Sequence, residues 1–100
     1  MDNLIFKFSK PYTFENEITS ELDLSGLDNL TGADLAAGEK HLNRMGIITP
    51  TPQMNIEYVH YMAHVVTGRP LEFFAGIPAR DDLRLKNLVT GFLYGGDTEN

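Results

Sequence analysis

Residues 61–96 read YMAHVVTGRPLEFFAGIPARDDLRLKNLVTGFLYGG, and the spacing of their breakers decides the fold. An amphipathic helix ends at Gly68, a short helical turn follows Pro70, Pro78 closes that turn, and a second amphipathic helix begins near Asp81. Glycine terminates a helix because it alone takes the left-handed conformation without strain, and proline opens one because its missing N–H has no partner there anyway. The terminal helix carries Leu85, Leu88, Val89 and Phe92 on one face with Arg84 and Lys86 outside it, while Asp81 and Asp82 complement the dipole of its first turn. Phe74, held between the two prolines, is the expected core anchor of this half.

Upstream, the pattern predicts two more helices. Thr31 is an N-cap with Asp34 three residues on, an abbreviated capping box. Leu35, Gly38, Leu42 and Met45 then recur at helical spacing, and Gly46 closes a helix over residues 33–45. Pro50 and Pro52, each preceded by threonine, make residues 47–53 an extended connector. Helix resumes over residues 54–67, where Tyr58, Val59, Met62, Val65 and Val66 form the apolar arc.

The N-terminal quarter alternates instead. Leu4, Phe6 and Phe8 line one face of a strand, and Ile18, Ser20, Leu22 and Leu24 alternate against Glu17, Thr19, Glu21 and Asp23 in a second. About ten residues with Pro11 and Asn16 lie between them, closing a β-hairpin. A two-stranded hairpin is marginal in water, so its apolar face must rest on helices. The expected fold is α+β: an N-terminal β-hairpin packed on a small bundle of three to four helices, one domain over residues 1–100 with residues 95–100 a flexible tail.

Composition limits the functions available. Charged side chains sum to −6 with a pI near 4.8, a field that repels phosphate backbones and anionic lipid, so neither nucleic acid nor membrane is expected as partner. The absence of cysteine removes disulfide, thiolate-metal and thiol-nucleophile chemistry. The opening MDNLIFKFSK lacks a long apolar run and a small-residue cleavage site, and no window reaches a membrane span, so the expectation is an intracellular, cytoplasmic protein.

The residues offer one enzymatic arrangement. Glu57, His60 and His64 share a helix stripe that could present a carboxylate and two imidazoles to one divalent metal, but the Glu that a zinc hydrolase places between its histidines is missing. The stripe therefore reads as the solvated face of the helix. Adjacent Asp81 and Asp82 point about 100° apart and do not form an acid/base pair; one reads as a cap, the other as a first-turn charge. The glycines build no phosphate loop, and no serine sits in a nucleophile elbow. No catalysis, cofactor or metal is expected. What remains is apolar surface in the C-terminal region, from Leu71, Phe73, Phe74 and Ile77 to Phe92, Leu93 and Tyr94.

The run of helix, Thr67-Gly68-Arg69-Pro70, short apolar turn, Pro78-Ala79-Arg80-Asp81 and terminal helix ending in Phe92-Leu93 resembles the tail assembly chaperones of long-tailed bacteriophages and prophages. The helix entry Leu30-Thr31-Gly32-Ala33-Asp34-Leu35 is similar too, so the resemblance spans residues 6–94 through caps, turns and apolar anchors. It implies a protein that coats the tape measure protein, helps recruit tail tube protein, and leaves before the virion is finished. It also implies, in many such families, a longer frameshifted form that would begin here within residues 95–100. Phe73, Phe92 and Tyr94 are the expected protein-binding residues, with self-association left open. The competing readings are a generic intracellular adaptor domain and, more remotely, a metal-dependent enzyme using Glu57, His60 and His64.

Overall fold

The structure, a computed structural model, describes residues 4–95. Of the expected tail, residues 96–100 lie outside the described residues. Two antiparallel strands, β1 (Ile5–Phe14) and β2 (Glu17–Asp23), precede four helices: α1 (Gly32–Arg44), α2 (Ile56–Thr67), α3 (Leu71–Ala75) and α4 (Ala79–Leu93). This is the expected α+β arrangement of a hairpin on a small helix bundle. Short 3-10 turns, Ser25–Asn29 and Pro52–Met54, lead into α1 and α2. Among the described residues no helix is long and apolar enough to cross a membrane.

The helix boundaries follow local chemistry. Thr31 accepts from the Asp34 N–H while the Asp34 carboxylate accepts from the Thr31 N–H, completing the capping box of α1. Asn55 caps α2 by accepting from the Glu57 N–H at 2.8 Å. The helix expected from residue 54 thus begins at Ile56, its first residues being taken by the 3-10 turn after Pro52. Gly68 ends α2 at φ 77°. Pro70 and Pro78 stand at the caps of α3 and α4, so α4 starts at Ala79, two residues before Asp81.

The hairpin departs from simple alternation. Its connection is the two-residue turn Glu15-Asn16, at φ 50° and 69°, because β1 continues through Pro11 to Phe14. Pairing runs Lys7 with Glu21 and then Tyr12 with Thr19, so β1 places residues 8–11 opposite the single Ser20. Pro11, which has no N–H to give a ladder, sits in this bulge. An odd shift of register turns side chains to the other face. Thr19 is therefore buried at 6% exposure, and Ile18, expected inward, is 68% exposed.

α2 is the central helix, touching α1, α3, α4 and both 3-10 turns. Gly38 lets α1 approach it: a Cβ there would lie 2.5 Å from Met62 Cε and 2.8 Å from Tyr58 Cε2. Tyr58 is fully buried and its hydroxyl donates to the Leu35 carbonyl at 3.2 Å. α3 contributes Phe73 and Phe74, both with no exposed surface. The Phe73 ring meets Tyr12, Phe14 and Phe74 edge-on, with centroids 5.0, 5.5 and 5.1 Å away. The Tyr12 hydroxyl donates to the Phe73 carbonyl at 2.7 Å. Burial, and secondarily the Asp82 charge, holds that phenol above its ordinary pKa of 10.0, so the donor keeps its proton.

The bulge is held by α4. The Asp81 carboxylate, 2% exposed, accepts from the Ser9 N–H at 3.1 Å and from the Ser9 hydroxyl at 3.1 Å. Arg84, one turn on, donates to Asp81 at 2.6 Å and to the Lys7 carbonyl at 2.6 Å, with its guanidinium 4.9 Å above the Phe6 ring. Neither Asp81 nor Asp82 caps α4, as the sequence had one of them doing; both turn to partners on other elements.

Two stability predictions follow this packing. Phe74→Ala should cost ~3–5 kcal/mol in urea unfolding, since the ring is enclosed on all sides. Asp81→Ala should cost ~2–4 kcal/mol by orphaning the Ser9 donors and Arg84, and Asp81→Asn, which keeps one acceptor oxygen, should cost less.

Candidate protein-binding surface

Of the three side chains expected to bind a partner, one is exposed. Phe73 is fully buried at the centre of the aromatic cluster between hairpin and α3, so it is core and not contact surface. Phe92 is half-buried against the core. Tyr94, just past α4, is 56% exposed, and its hydroxyl lies 3.3 Å from Gln53 Oε1. The C-terminal aromatics that looked surplus in the sequence are thus mostly absorbed, because the hairpin supplies Phe8, Tyr12 and Phe14 as partners for α3.

The apolar surface left outside gathers instead on the connector before α2. Thr90 Oγ1 donates to the Gln53 carbonyl at 3.2 Å, so the connector is tied to the end of α4 at two points. Ile48 on that connector is 94% exposed, and Met54 is 49% exposed. Beside Ile48 a shallow recess is lined by Glu39, Leu42, Asn43, Ile47 and Pro52. Ile48 and Met54 both stand on this connector, and Tyr94 is bonded to Gln53 next to Met54, so the three make up the apolar edge offered by this segment. Pro50 and Pro52 restrict the connector's backbone, so the edge is presented with little conformational freedom left to lose. The exposed Ile18, Met45, Val65 and Leu83 stand on other elements, as single surface apolar residues commonly do.

A second concavity, about 300 Å³, opens between α1, α2 and α3 and is lined by His41, Met45, Glu57, His60, Leu71, Glu72 and Ala75. His60 reaches its wall as a buried group, 7% exposed, which corrects the expectation that it lies on a solvated stripe. α2 is surrounded on most sides, so His60 of its polar stripe faces protein while Glu57 and His64 stay half-buried. His60 Nε2 donates to both Asp82 oxygens at 2.9 Å, joining α2 to α4, and its ring lies 5.9 Å from Phe74. His64 Nδ1 is 2.6 Å from the Arg69 carbonyl; since a carbonyl only accepts, Nδ1 carries the proton. The two imidazoles and Glu57 are therefore not brought to one point, and among the described residues no group of three or more His, Asp or Glu could hold a metal ion. The sequence offered one signal for these bonds, acidic residues in a first turn with Arg84 three residues on, but which strand or helix they meet is a tertiary fact.

His60→Ala should lower unfolding free energy by ~2–3 kcal/mol, because it leaves a nearly buried carboxylate without its donor, whereas His64→Ala should cost ~1 kcal/mol; urea titrations of both variants check this.

Compared with known proteins, the chain matches no family model, no curated protein and no solved structure.

Proposed function

We propose that this chain is a tail assembly chaperone of a long-tailed phage or prophage. It binds the tape measure protein in the host cytoplasm, helps bring tail tube protein to it, and is released before the virion is complete. The observation that carries the reading is the edge of Ile48, Met54 and Tyr94 on a strongly acidic domain. A long helical client exposes apolar side chains that aggregate in water. A small domain covering them with fixed apolar residues, while adding −6 of charge per copy, keeps such a complex dispersed. The sequence resemblance over residues 61–94 and 30–35 supports the choice of this class over a generic adaptor domain, which the same edge would also serve. Contacts of modest size, repeated along the client by many copies, suit a partner that must later be displaced.

Coexpression with the tape measure protein encoded alongside should bring that protein into the soluble fraction and allow its recovery with the wild-type chain. A folded Met54→Ser, Tyr94→Ser variant should recover about tenfold less, equivalent to ~1.4 kcal/mol. Failure of the wild type to recover it rejects the chaperone reading; equal recovery by both proteins rejects this edge.

A further inference from the structure

The concavity between α1, α2 and α3 has a chemistry of its own. Its apolar lining comes from Leu71, Ala75 and Met45, the last 47% exposed, with the rings of His41 and His60 beside them. Methionine adapts its shape to what it meets, as promiscuous docking surfaces require. Two carboxylates also line it, the half-buried Glu57 of α2 and the exposed Glu72 of α3, and neither has an ion-pair partner among the described residues. About 300 Å³ is room for one or two leucine-sized side chains, not for a whole helix.

We propose that this groove is a docking site for an amphipathic helix of a partner, receiving a large apolar side chain that is flanked, one turn to either side, by lysine or arginine. On a helix, residues four apart lie about 5–6 Å from each other, so cations at i−4 and i+4 straddle an apolar residue at i. Such a residue entering beside Leu71 and Ala75 places its flanking cations on a surface whose unpaired charges are the carboxylates of Glu57 and Glu72. A second copy of this chain fits poorly, because both surfaces belong to a molecule of charge −6. The proposal rests on the reading of the chain as a holder of helical clients and adds which side chains of a client it selects.

Fluorescence anisotropy of the full chain with a labelled synthetic helix of about five turns tests it. The helix carries leucine at three- and four-residue spacing with lysine a turn away; its controls have glutamate for lysine, or the same composition scrambled. Wild type should bind the lysine helix at least about tenfold more tightly than either control. Glu57→Lys with Glu72→Lys should reverse the preference to the glutamate helix. Ala75→Trp, which fills the groove without changing charge, should weaken the lysine helix by about tenfold or more. Equal binding of the lysine and scrambled helices, or affinities unmoved by the variants, would overturn the proposal. If the variants fail here while the tape measure protein is still recovered by the wild type, the groove falls and the chaperone reading stands. If the lysine helix binds as expected but no tape measure protein is held, the groove stands and that reading falls.

Discussion

The contact on which the molecule turns is a carboxylate buried at the start of its last helix. A two-stranded ribbon has too little apolar surface to persist alone, and this one interrupts its own ladder over residues 8–11. The interruption leaves backbone groups of β1 without strand partners. Asp81 takes the Ser9 N–H and Arg84 takes the Lys7 carbonyl, while the two side chains hold each other. Residues more than seventy positions apart thereby close the chain, with α4 standing in for the missing stretch of strand. With the hairpin fixed there, Tyr12 and Phe14 come to rest on Phe73, and α3 is pinned between hairpin and α2.

Local chemistry was legible in the sequence and long-range pairing was not. The capping box at Thr31 and Asp34 and the left-handed ends at Gly46 and Gly68 depend on residues within a turn of each other, so reading them needs no tertiary information. The proline pair around α3 worked for the same reason, and Phe74 proved to be core. Leu22 of β2 is inward as its alternation implied, but the turn end of the strand could not be read, because alternation assumes an unbroken ladder and the bulge exchanges Ile18 for Thr19. His60 failed for a related reason. A polar stripe implies solvent only where that side of a helix is free, and α4 covers α2 at His60.

The same limit shaped the view of the binding surface. A count of large apolar side chains near the C-terminus leaves out the aromatics of β1, which surround Phe73, and His60, which lies beside Phe74. Of the expected residues, Tyr94 is left on the outside, as are Ile48 of the expected connector and Met54, where the helix had been expected to begin. Pro50 and Pro52, which break the helix there, also stiffen the backbone that displays Ile48.

The bulge gives the hairpin two unequal rails, ten residues in β1 against seven in β2. A ribbon with one longer rail must curl toward the shorter. The curl is visible in Phe8 and Tyr12: four residues of flat strand would separate them by about 13 Å, yet their rings stack with centroids 5.4 Å apart. Phe8, Tyr12 and Phe14 consequently surround Phe73 as an arc and not as a row. A larger protein would wrap such a side chain by adding strands; here a single bent ribbon supplies the enclosure, which is how so short a chain keeps a phenylalanine wholly out of water.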